Sequence, residues 1–203
     1  MAVQSGVYRG VPAKERVAER RARLKEATLA VWADPDRRTT MTAICAEAGL
    51  TERYFYESFS GLDEALTAVM DDIATEIEQT TMRAAEEAGH DPVARTRATL
   101  EAFVELLRGD PRKGRVAIVE AGAMPELRRR RTDLLRHFAH RTAEEAREMV
   151  GMPRRSAAED ELAGLLFIGG MAELITAWLD GAVDATPEEI VEAASRSFLG
   201  VYG

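Results

Sequence analysis

The side chains best able to do recognition chemistry lie within residues 39–66, TTMTAICAEAGLTERYFYESFSGLDEAL. Thr51 stands as the N-cap of a short helix, Glu52-Arg53-Tyr54-Phe55-Tyr56-Glu57-Ser58, with Phe55 and Phe59 turned inward. That leaves Arg53, Tyr54 and Tyr56 on the outer face. A guanidinium can donate two parallel hydrogen bonds to O6 and N7 of guanine, worth about 1–3 kcal/mol of discrimination. Arg53 is the candidate for that contact. Glu52 could accept from a cytosine amine, or could equally be repelled by nearby phosphates. Thr40 and Tyr56 suit phosphate oxygens, contacts that set register without reading bases. Thr42, Thr51 and Ser58 complete the candidate DNA-binding set.

These residues need two short helices crossing at a tight turn. Ile44 and Phe55 are the apolar anchors, and Gly49 lies between them, where a sharp bend calls for positive φ. Cys45, four residues before Gly49, reads as a small core residue in the place of an alanine. The alternative is a redox-sensing thiol, which needs an accessible, electropositive site rather than an apolar one. The pattern is that of a helix-turn-helix, whose second helix enters the major groove. A plain helical hairpin with a core aromatic stripe is the competing reading. It does not account for the small position, the turn glycine and the exposed aromatics together.

Elsewhere the hydrophobic period is helical almost throughout, with almost no two-residue alternation. A first helix over about 13–33 places Val17, Leu24, Thr28 and Val31 on one face, and Asp34-Pro35-Asp36 stops it. A longer helix runs from about Leu62 into the 80s. Asp91-Pro92, Ser156 and Thr186-Pro187-Glu188-Glu189 are N-terminal capping signals for later helices. The expectation is an all-α chain of about nine helices. Residues 1–60 form a helix-turn-helix DNA-binding domain, with 1–12 expected to be disordered. Residues 61–203 form a helical ligand-sensing and dimerisation domain.

Residues 13–70 resemble the DNA-binding domain of TetR-family transcriptional regulators. Thr40, Ile44, Ala48, Gly49, Tyr56, Phe59 and Leu66 fit the family pattern. Cys45 replaces an alanine, Phe55 a leucine, and Leu62 a lysine that commonly contacts phosphate. The resemblance implies a homodimer on palindromic double-stranded operator DNA, acting as a repressor that a small-molecule inducer releases. The alternative function is a helical protein-interaction adaptor that has lost operator binding. The Arg53-Tyr54-Phe55-Tyr56 segment argues against it.

The helix expected over about 157–180 is apolar all the way round, and such a helix must be covered on every side. The final helix adds Ile190, Val191, Ala194, Phe198 and Val201 on one stripe. The expected dimer interface is therefore a bundle of these last two helices from each subunit. Met70, Phe103, Met124, Phe138, Phe167 and Met171 are the candidate ligand-lining residues, although Met and Phe at helical spacing more often form plain core.

Asp133, His137, His140 and Glu144 share a helix face at i, i+4, i+7 and i+11. That face centres about 140° from the apolar stripe of Leu127, Leu134, Phe138 and Met149, so it reads as a solvated face rather than a metal site. No cofactor is expected. The chain shows no Gly-rich phosphate loop, no G-x-S-x-G and no His partner for Cys45, so an enzyme is not expected either. The one cysteine excludes an intrachain disulfide, and no stretch approaches the roughly 18 apolar residues of a membrane helix. The expected compartment is the cytoplasm.

The formal net charge of the 203 residues is −8, which argues against a protein coated in basic residues. It is unevenly spread. Residues 1–60 hold ten Lys and Arg against eight Asp and Glu, and residues 61–203 hold 17 against 27. Lys14, Arg16, Arg20, Arg21, Arg23 and Lys25 crowd the first helix, placing them to flank a phosphate backbone.

Overall fold

The structure is a computed structural model, and it describes residues 13–149, 151–153 and 155–203. The expectation of disorder over 1–12 lies outside the described residues. Among the described residues the chain is all-helical, with nine helices and no strand. They are α1 (Ala13–Ala33), α2 (Met41–Ala48), α3 (Glu52–Ser58), α4 (Leu62–Ala88), α5 (Pro92–Gly109), α6 (111–123), α7 (Arg128–Glu148), α8 (Ala157–Leu179) and α9 (Pro187–Tyr202). The middle of α6, Arg115–Glu120, is wound as a π-helix, and a 3₁₀ turn over Pro125–Leu127 precedes α7. The chain divides into two compact units between Asp71 and Asp72, inside α4.

Helix starts follow the side chains that can satisfy free N–H groups. The Asp91 carboxylate accepts from the Ala94 N–H at 2.8 Å. Ser156 and Thr186 each form a complete capping box, with Glu159 and Glu189 reaching back to the cap N–H.

The first unit is built on Leu24, Ala27 and Val31 of α1, Ile44, Cys45 and Ala48 of α2, Phe55 of α3, and Phe59 and Ala65. Val17, expected on the same face, is 45% exposed. It lies before Arg20 and Arg21, which meet α3, so the buried face of α1 begins only at Leu24.

The second unit packs α5, α7, α8 and α9 around Leu100, Val104, Leu107, Phe167, Met171, Ile175, Ile190 and Phe198. The α7–α8 contact is close because Gly164 has no side chain. A Cβ there would stand 2.5 Å from the Ala139 carbonyl oxygen. Arg95 is buried, donates to the carbonyls of Ala85 at 3.0 Å and Gly89 at 2.8 Å, and pairs with Glu145 and Glu148. With its donors occupied, a buried guanidinium can tie the end of α4 to α5 and α7. The bond to Glu145 holds its pKa above the ordinary value, against the opposing effect of burial.

Two expectations change here. Phe198 does not lie on an open dimer stripe. It is buried within its own unit, its ring 5.4 Å from Phe167 and 4.9 Å from Tyr202. The stripe of α9 is used up against α5 and α8, because the chain's own core needs it. The outward apolar face is on α8 instead, where Leu162 is 65% and Leu166 71% exposed, with Leu165 between them. That helix is also long and apolar enough, by length and composition, to cross a membrane. The sequence reading expects no stretch approaching such a length, but the glycines at 164, 169 and 170 lie inside one continuous helix. Its other face, with Ala163, Phe167, Met171 and Ile175, is buried in the second unit's core.

Candidate DNA-binding surface

Local chemistry builds the surface from α2 outward. Thr40 caps α2, its Oγ1 accepting from the Ala43 N–H at 3.2 Å. The hydroxyl proton remains available to an outside acceptor. Gly49 closes the helix at φ 61°, a left-handed conformation in which only glycine avoids a Cβ penalty. The Gly49 N–H then reaches Ala46 O at 3.2 Å and the Leu50 N–H reaches Cys45 O at 2.9 Å, the paired bonds of a Schellman closure. The turn delivers Thr51, whose carbonyl accepts from Tyr54 and Phe55 as α3 begins. Its side chain makes no capping bond.

Phe55 and Phe59 anchor α3, both buried, with ring centroids 5.6 Å apart. Their spacing turns Glu52, Arg53, Tyr54, Tyr56 and Glu57 to the exposed side, as the sequence pattern predicts. Thr42 and Glu52 come together across the turn, Oγ1 donating to Oε1 at 3.3 Å. Tyr56 is 59% exposed. Ser58 is half-buried, and its carbonyl accepts from Arg21. Cys45 is buried, and burial, with the nearby Glu52 carboxylate, pushes its thiol above the ordinary value. A thiol in that setting packs rather than reacts.

Three of the six basic residues of α1, Arg20, Arg21 and Arg23, have partners inside the unit. Arg20 and Arg21 are half-buried, whereas Arg23 stays exposed. Arg23 donates to Ala48 O at 2.6 Å. Arg21 stacks over the Phe59 ring at 4.1 Å and pairs with Glu64. Arg20 stacks over Tyr54 at 4.6 Å and approaches Glu57 at 3.6 Å. Tyr54 is therefore only partly free. These guanidiniums are spent holding α2 and α3 against α1. Long side chains with five donors reach helix-end carbonyls that no backbone group satisfies. Glu57, left out of the candidate set, is the carboxylate that meets Arg20 of α1 and Arg53 of α3. Its i+4 spacing from Arg53 was the available signal.

The candidate ligand residues divide between the units. Met70 is buried in the first. In the second, Phe167 and Met171 belong to the core cluster with Phe103 packed against it. Met124 and Phe138 are half-buried, and Phe138 meets the His137 ring edge at 5.5 Å. Of the four residues that share a face at metal-ligand spacing on α7, His137 pairs with Glu78 at 3.1 Å and His140 with Glu144 at 3.2 Å. Among the described residues no group of three or more His, Cys, Asp or Glu could hold a metal ion.

No protein-family profile matches the sequence, and no curated protein matches it. Solved structures do match, 112 chains in all. The fatty acid degradation regulator FadR from Bacillus halodurans superposes with a TM-score of 0.74 at 16% identity, over 88% of this chain and 97% of that one. A TetR-like transcriptional regulator from Rhodococcus sp. RHA1 gives 0.69 at 16%, covering 90% and 94%. A TetR-family regulator from Streptomyces coelicolor gives 0.64 at 23%, covering 93% of each chain. The fold is that of the TetR-family regulators. The TetR-like frame accounts for an N-terminal helix-turn-helix followed by a larger helical unit in one chain. At these identities it is the architecture that is shared.

Proposed function

We propose that this chain is a sequence-specific DNA-binding transcriptional regulator of TetR type, a cytoplasmic repressor that a small molecule releases from a palindromic operator. The observation that carries the reading is α3. Two buried phenylalanines fix it behind a glycine-closed turn, and its outer face offers Arg53, Glu52 and Tyr56 to a groove. Thr40, Thr42, Thr51, Tyr54 and Ser58 border that face. The TetR-like architecture supports it independently.

A palindrome needs two copies of α3 related by a two-fold axis. The exposed leucines of α8 supply a self-complementary apolar face for a second copy, with the outer side of α9 beside it. Two recognition helices would then enter successive major grooves about 34–36 Å apart. The second unit, with Phe103, Met124, Phe138, Phe167 and Met171, is the proposed sensing part. Ligand there would favour a conformer whose recognition helices no longer match the operator. A coupling of about 1–3 kcal/mol would be reciprocal, operator weakening ligand by the same factor.

The test is selection by the full chain from a pool of randomised double-stranded DNA. The expected result is an enriched inverted repeat, protected in a footprint, whose affinity falls steeply with salt. Recovery of no enriched sequence would overturn the reading.

A further inference from the structure

The recognition helix carries a carboxylate that the DNA-binding reading does not by itself explain. Glu57 Oε1 accepts from Arg53 Nε at 3.1 Å, and Glu57 Oε2 lies 3.6 Å from Arg20 Nη2. Arg20 is three-quarters buried and stacked on the Tyr54 ring, whereas the Arg53 side chain is 84% exposed. A single carboxylate thus stands between a fixed cation on α1 and a free-standing one on α3.

This pair is poorly placed to serve helix stability. The basic residue precedes the acid at i, i+4, the weaker of the two orientations, and exposed pairs of this kind hold side chains loosely. The arrangement gains definition only from Arg20, whose stacked guanidinium holds the second oxygen of Glu57. The consequence falls on Arg53. With Nε engaged, its remaining donors are Nη1 and Nη2 at the tip, the pair that can meet two acceptors end-on. Guanine alone among the bases presents two acceptors, O6 and N7, in the major groove. A guanidinium already held in one direction loses less side-chain freedom on docking.

Resting on the DNA-binding reading, we propose that Glu57 is a positioning residue: anchored by Arg20, it holds Arg53 so that Nη1 and Nη2 meet one guanine end-on in each half-site. As an acid beside the groove, it also weakens binding to unrelated DNA, where no base contact offsets its repulsion from phosphates.

The experiment uses the full chain and the sequence it selects from randomised duplex DNA. Affinity is measured for that sequence and for each single base-pair change, for wild type and for Arg53→Ala, Glu57→Ala, Glu57→Gln, Arg20→Ala and the Arg53→Ala/Glu57→Ala double variant. Far-UV dichroism confirms folding. Arg53→Ala should flatten discrimination at one guanine position, and Glu57→Ala should flatten that same position by about tenfold while leaving the others. Glu57→Gln keeps an acceptor oxygen and should keep most of the discrimination, and Arg20→Ala should lose part of it there. In the double variant, removing Glu57 should add nothing at that position. The inference fails if Glu57→Ala keeps wild-type discrimination there, loses affinity equally at every position, or acts as strongly without Arg53. It also fails if Arg53→Ala spares every position. A wild-type chain that selects no sequence overturns the DNA-binding reading itself, which separates the two failures.

Discussion

Arg23 of α1 donates from Nη2 to the carbonyl of Ala48, the last residue of α2, at 2.6 Å. Its guanidinium also lies 3.5 Å from where a side chain on Gly49 would begin. A charge-assisted bond closes the helix end at the turn that aims α3, so the stability of α2 and the direction of α3 depend on the same side chain.

Replacing Arg23 with Ala should therefore lower stability by about 1–2 kcal/mol, since a partly buried carbonyl loses a charged donor. Chemical denaturation of the purified chain measures it. A stability equal to wild type would mean that water replaces the guanidinium without cost.

Gly164→Ala should be destabilising by about 1–3 kcal/mol despite alanine's better helix propensity. The added methyl would meet the backbone of Ala139, which can give way only if α7 and α8 separate. Gly109→Ala, at the end of α5 with open space around it, is the control, and should be neutral or slightly stabilising. Thermal melts of both variants side by side decide the point.

Leu166 and Phe198 should separate assembly from folding. Phe198→Ala removes a buried ring that packs on Phe167 and Tyr202, and should cost about 3–5 kcal/mol. Leu166→Glu changes an exposed side chain and should leave the protomer folded while breaking the proposed dimer. Sedimentation velocity reads the second. A Leu166→Glu chain that still sediments as a dimer would move the interface off α8.

Tyr202 supplies a pH-dependent prediction. Its hydroxyl is buried with no hydrogen-bond partner among the described residues, and burial, reinforced by the nearby Asp160 carboxylate, pushes its pKa from 10.0 up to about 12. The folded state favours the neutral phenol, so this contribution is fully present below pH 10 and is lost as pH rises through about 12. Tyr202→Phe should flatten that alkaline decline and, by removing an unsatisfied buried hydroxyl, raise neutral-pH stability by about 1 kcal/mol. Titration of tyrosinate absorbance should lose its latest step in the same variant.

Much of this protein is legible in one dimension. Capping residues at Asp91, Ser156 and Thr186 set helix starts through bonds spanning three residues. Gly49 marks the turn because its left-handed backbone penalises other residues, and Phe55 with Phe59 fixes the exposed face of α3 by helical period alone. These are local interactions, and local spacing encodes them. Which side of an apolar helix meets its own core is decided by packing over long sequence separations. Phe198 and Leu166 look alike as apolar positions, yet one fills the core between α8 and α9 and the other stays outside. The arginines of α1 carry the same ambiguity. Their number is a property of the sequence, but a long, flexible cation can face phosphate or turn back to a carbonyl. Only the tertiary structure, by bringing Ala48, Ser58 and Glu57 within reach, decides that Arg23, Arg21 and Arg20 turn back.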